Sequence, residues 1–187
     1  MSRVAFSVIA LLLLTAVVRS QEDQSKPDAY SGVAVGTGGA VGGSSISFDF
    51  RIKHYASDEE IASLAHLLKD KGQDALRAAL EKLDAGRINP MGSVGNAIAV
   101  ARRRKVGTGS VITLVTARNM SFSERYRGGR TNHYPFGYLR VQLNEKGEGD
   151  GQIIIAAKIR FNQQKGHYEL ESYGNQYVKV VNVRPLK

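Results

Sequence analysis

The sequence predicts an α+β fold: an antiparallel meander of six or seven strands, forming a curved sheet or partial barrel, with one αα-hairpin inserted after the first strand. Three observations predict it. Apolar and polar residues alternate strictly over residues 46–53. Two apolar stripes of helical period follow at once, and from Asn96 onward strand-like segments succeed one another between turn signals.

Residues 1–20 read as a cleavable signal peptide. Arg3 stands ahead of an uncharged run from Val4 to Val18, and Val18 and Ser20 offer small side chains before a cleavage point at Ser20/Gln21. Residues 21–45 are expected to be a disordered Gly-rich leader, polar as far as Asp28 and then punctuated by Gly32, Gly36, Gly38, Gly39, Gly42 and Gly43. The single folded domain is therefore placed at 46–187. Its first strand is 46–53. Ser57 then stands as a helix N-cap, with Glu60 completing a capping box and Asp58 and Glu59 at the positive end of the helix. Ile61, Leu64, Ala65 and Leu68 form one stripe; Lys69, Lys71 and Gly72 suit its C-terminus. Leu76, Ala79, Leu80 and Leu83 form the second stripe, ending at Gly86, and the short break between them predicts the αα-hairpin. Strands are expected at 96–103, 109–117, 136–143, 152–161, 168–172 and 177–183, with hairpin loops at 144–151 and 162–166.

The chain has no cysteine, so an exported domain must rest on its core; from Ile46 onward it is long enough to bury about two-thirds of its unfolded surface. The net charge is +9, and +7 without Arg3 and Arg19, which favours polyanionic partners without naming one. No second stretch approaches membrane-spanning length, so the mature chain is expected to have no membrane span.

Catalytic signatures are missing. No G-x-S-x-G occurs, a Cys nucleophile is impossible, and His54, His66, His133 and His167 show no H-E-x-x-H and no i, i+4 pair. Residues 36–41 lack the third glycine of G-x-G-x-x-G, and residues 148–151 do not fit a calcium loop. No metal and no cofactor are expected. What remains is basic. The connection 118–134 is long for two strands and carries Arg118, Arg125, Tyr126, Arg127, Arg130, His133 and Tyr134, a mixture of guanidinium forks and flat rings suited to phosphate, sulfate or carboxylate groups. Arg102, Arg103, Arg104 and Lys105 form a secondary patch at a strand end, which also suits a solvated hairpin tip.

The ordered words Ala56-Ser57-Asp58-Glu59-Glu60-Ile61, Gly72-Gln73-Asp74-Ala75-Leu76, Gly86-Arg87-Ile88-Asn89-Pro90, Val115-Thr116-Ala117-Arg118 and Tyr134-Pro135-Phe136-Gly137 resemble a family of small exported bacterial proteins. The resemblance brings no activity, cofactor or catalytic residue. The expectation is a secreted or periplasmic, non-catalytic envelope protein that binds an acidic or polar partner, such as an anionic glycan or another envelope polyanion, through the basic loop. Intracellular nucleic acid is not expected as a partner. Two alternatives stay open: a hydrolase acting on an anionic substrate with His133 or His54 as base, and a carrier of apolar ligands within the curved sheet.

Overall fold

The computed structural model describes residues 28–36, 45–120, 133–175 and 177–186. Ten strands and one helix succeed one another among them: β1 (Asp28–Gly36), β2 (Ser45–Ile52), α1 (Asp58–Leu80), β3 (Gly86–Pro90), β4 (Asn96–Ile98), β5 (Val100–Val106), β6 (Gly109–Thr116), β7 (Phe136–Leu143), β8 (Gly149–Asn162), β9 (His167–Ser172) and β10 (Val178–Pro185). Every pairing is antiparallel, in the order β4-β3-β2-β1-β10-β8-β7-β6-β5, with β9 attached to the far half of β8. The two ends of this path, β4 and β5, are consecutive in the chain. Only Ala99 separates them, and its N–H donates to the Val115 carbonyl of β6 at 2.9 Å. The sheet thereby returns on itself as a nearly closed barrel.

The interior is apolar. Phe50, Ile88, Ile98, Ile112, Leu114, Leu139, Val141, Ile153 and Val180 are fully buried there, and Tyr30 stacks on Phe50 with ring centroids 5.1 Å apart. Strand glycines make the tight curl possible: a Cβ on Gly151 of β8 would lie 2.1 Å from the Arg140 carbonyl oxygen of β7, so no other residue lets the two strands close up here. Outside, exposed positions carry Arg51, Arg87, Arg140 and Lys179. Apolar within and charged without is the reverse of an outer-membrane barrel. No helix among the described residues is long and apolar enough to cross a membrane.

A second core lies on the outer face. Leu68, Leu76 and Leu80 of α1 pack against Ala99, Val100, Phe136, Ile154 and Ala157, so this part of the wall, chiefly β8, is buried on both sides. Each leucine contributes about 1.5–3 kcal/mol by leaving water. The β8–β9 hairpin extends past the barrel and holds the helix from its far flank, through Tyr168 Oη donating to the Ala65 carbonyl at 2.9 Å and Lys69 Nζ lying 5.3 Å over the Phe161 ring. The expected capping box is present, with Glu60 N–H donating to Ser57 Oγ and Ser57 N–H to Glu60 Oε2.

Three expectations are corrected. The sheet has ten strands rather than six or seven, because β1 and β3 join it and the segment expected at 96–103 changes partner at Ala99, pairing with β3 before it and β6 after it. The αα-hairpin is not matched: the helical residues run from Asp58 to Leu80 as two segments joined at Gly72, the one position inside them with non-helical values (φ 80°, ψ −175°), and Leu83 of the second stripe lies beyond them. The stretch read as a Gly-rich leader contains β1, hydrogen-bonded between β2 and β10, so the folded domain begins before residue 46. Gly32 is small there because the interior is full: a Cβ would meet Val183 at 3.2 Å and the Phe48 ring at 3.3 Å. Its glycine reflects crowding, not freedom.

Candidate functional site

Of the predicted loop residues, Arg125, Tyr126, Arg127 and Arg130 lie outside the described residues. Arg118, His133 and Tyr134 lie where the connection leaves and re-enters the barrel. Both ends are anchored. The Met120 N–H donates to the Ile155 carbonyl, and the Met120 side chain is fully buried against Gly137 and Thr116, plugging this end of the barrel. The Asn96 amide donates to the Asn119 carbonyl at 3.0 Å, and the Asn119 amide, in the orientation that satisfies it, donates to the Tyr134 and Pro135 carbonyls. Tyr134 meets Tyr173 edge-on at 5.4 Å, and the His133 carbonyl accepts from Gln73 Nε2 at 3.4 Å. Arg118 is exposed, and no hydrogen bond or ion pair engages its guanidinium among the described residues.

The secondary patch divides in two. Arg102 is bound to Asp58 at the start of α1, at 2.5 Å. Arg103 crosses the other mouth of the barrel: Nη1 donates to Asp28 at 2.9 Å, Nη2 reaches Tyr30 Oη at 3.5 Å, and the guanidinium lies 5.9 Å from the Tyr55 ring centroid. Tyr55 Oη donates to the same Asp28 oxygen at 2.6 Å. Burial, together with the Asp28 carboxylate, pushes the Tyr55 phenol well above its ordinary value; burial raises Tyr30 likewise. These groups latch β5 to β1. Arg104 and Lys105 point into solvent.

Register assembles a basic surface that sequence reasoning missed. Arg102, Thr113, Arg140, Gln152 and Lys179 are successive cross-strand partners on β5, β6, β7, β8 and β10, forming one rung around the outer wall. With strands about 4.8 Å apart, Arg140 stands about 10 Å from its basic neighbours on either side. The next rung carries Arg104, Val111, Gln142 and Asp150. Arg104, Arg140 and Lys179 are exposed and have no ion pair among the described residues, whereas Asp150 Oδ1 accepts from the Asn182 N–H. Arg140 and Lys179 lie far from any basic run in the chain, so only the alternation within β7 and β10, taken with the pairing, reveals the row.

Two concave regions flank this wall. A groove of about 960 Å³ runs over the outside of β2, β1 and β10, between Asp49, Arg51 and Met91 on one side and Glu148, Asp150 and Arg184 on the other. A recess of about 470 Å³ lies under the C-terminal end of α1, with Arg118 at its lip. Among the described residues no trio of His, Asp or Glu is placed to hold a metal ion. His54 and His133, the bases considered for hydrolysis, are both exposed. No family model matches the chain, and no curated protein or solved structure matches it either.

Proposed function

We propose that the protein is an exported, non-catalytic bacterial envelope protein that holds an acidic polymer, such as an anionic glycan, against its basic outer wall, with the 118–133 connection as a further contact. The observation that carries this reading is the cluster of cations on two neighbouring rungs of the outer wall, Arg140 and Lys179 on one and Arg104 on the next, which have no ion pair among the described residues and are interspersed with the hydrogen-bonding Gln142 and Gln152. Cations spread across several strands match a linear polyanion better than a compact substrate, and the shallow hollow lined by Arg140, Gln142, Asp150 and Gln152 is open to water. Export is supported by the charged, apolar and small-residue order of residues 1–20 and by the resemblance to exported bacterial proteins.

The test is retention on immobilised heparin, used as a sulfated polyanion. Arg104→Ala/Arg140→Ala/Lys179→Ala is expected to elute at markedly lower salt than the wild type, since each lost contact releases fewer counterions. Arg125→Ala/Arg127→Ala/Arg130→Ala measures the share of the loop. If both folded variants elute with the wild type, the reading is wrong.

A further inference from the structure

We infer that the recess beneath the end of α1 is a second site, separate from the basic wall though it shares Arg118 with the 118–133 connection, and that it takes a small amphipathic anion: one carboxylate or sulfonate on a compact apolar body. The recess has a volume of about 470 Å³, within the usual range for small-molecule sites. Much of its wall is apolar, with Asn96 as the one uncharged polar side chain in it. Leu80 and Leu83 close it from the helix side; Ala97 and Ala99 from β4 and its continuation, and Ala117 from the end of β6, close it from the barrel side. Leu83 is 41% exposed, a large apolar side chain in water at the edge of a hollow that an apolar body would fill.

The charges at the recess select the ligand's sign. Its charged lining groups are Glu81 and Arg118. Glu81 is engaged by Arg77 at 3.2 Å, which neutralises it, while the Arg118 guanidinium has no partner among the described residues. The negative pole of α1 also ends at Glu81, so the anionic end of a ligand belongs at Arg118 and its apolar body against Leu80 and Leu83. Arg118 offers a planar pair of donors that suits a carboxylate or sulfonate group.

The probe is 8-anilinonaphthalene-1-sulfonate, followed by fluorescence and displaced with octanoate or, as its uncharged counterpart, octanol. Saturable binding to the wild type is expected, displaced by octanoate at a concentration at least about tenfold below that needed for octanol, the ratio one charge-assisted contact gives. Arg118→Gln, an exposed substitution that leaves the fold alone, weakens probe binding by about tenfold or more, Ala97→Leu abolishes it by filling the hollow, and Arg104→Ala/Arg140→Ala/Lys179→Ala leaves it unchanged. Absence of saturable binding to the wild type, or equal binding by Arg118→Gln and Ala97→Leu, overturns the proposal. Arg118-dependent sedimentation with anionic phospholipid vesicles, without displacement by octanoate, also overturns it, because the partner is then a membrane surface. Loss of heparin retention in the wall variant bears on the other site alone, so the two readings fail separately.

Discussion

Replacing Tyr55 by Phe isolates the latch across the barrel mouth. The substitution keeps the ring and removes one hydroxyl, which donates to Asp28 at 2.6 Å. Hydrogen bonds to charged partners are worth about 1.5–3 kcal/mol when buried. The Asp28 side chain is 33% exposed and retains Arg103, so the loss at pH 8 falls below that range, at about 1 kcal/mol. The raised phenol pKa gives this difference a pH dependence. Below pH 10 both the folded and the unfolded chain hold the Tyr55 proton and nothing changes. Above it the unfolded chain releases the proton while the folded chain keeps it, so wild-type stability falls, by about 0.8 kcal/mol at pH 10.5 and about 1.4 kcal/mol at pH 11. The variant has no such proton. Tyr30, also raised, is present in both proteins and cancels to first order. Urea unfolding at pH 8, 9.5, 10.5 and 11 is therefore expected to show the gap between the two proteins shrinking and closing near pH 10.5–11. A gap that stays constant across the series refutes the assignment of Tyr55 as a buried, neutral donor.

Other substitutions test how the chain fixes its elements. Gly137→Ala places a Cβ 2.4 Å from Met120 Cγ and 2.5 Å from Thr116 Oγ1 in a fully buried plug, and is expected to lower stability by about 1–3 kcal/mol in thermal or urea unfolding. Gly72→Ala meets open space yet still loses about 1–3 kcal/mol, because its backbone sits where L-residues are strained; a neutral or stabilising result would mean that α1 straightens without cost. Ser57→Ala removes half of the capping box and costs about 1 kcal/mol, read from the same unfolding curves.

What was legible in the sequence was whatever depends on near neighbours. The alternation at 46–53, the Ser57–Glu60 box and the Gly-bearing hairpin between β7 and β8 are local signals, and each lies where it was expected. β1 was hidden because its inward positions are Tyr30, Gly32, Ala34 and Gly36: a face made small to fit beside Phe48 has the composition of a linker. β3 is five residues long, begins at Gly86 and ends at Pro90, so its punctuation outweighs Ile88, its one large apolar side chain. The site divides in the same way. A run of cations at 102–105 is visible in the chain, but that Arg103 turns inward to Asp28, 75 residues away, is a fact of barrel closure. The Arg140 and Lys179 row runs across strands, a direction the sequence does not record.

The distribution of unpaired charge separates what the fold needs from what a partner needs. Helix α1 covers the outer face of β8 and its neighbours, the latch consumes Arg103 at the mouth, and Asp58 takes Arg102. Arg104, Arg140 and Lys179 remain without an ion pair among the described residues, and like charges on one wall repel each other. Substituting all three by Ala should then leave stability within about 0.5 kcal/mol of the wild type, with any gain appearing at low salt where the repulsion is least screened. Arg103→Ala behaves oppositely: it leaves Asp28 and Tyr55 without their cation and is expected to cost about 1–3 kcal/mol. Unfolding curves in 20 mM and 500 mM NaCl measure both. If the triple variant instead loses more than about 1 kcal/mol, the three cations are part of the scaffold, and the basic wall loses its claim to be a binding surface.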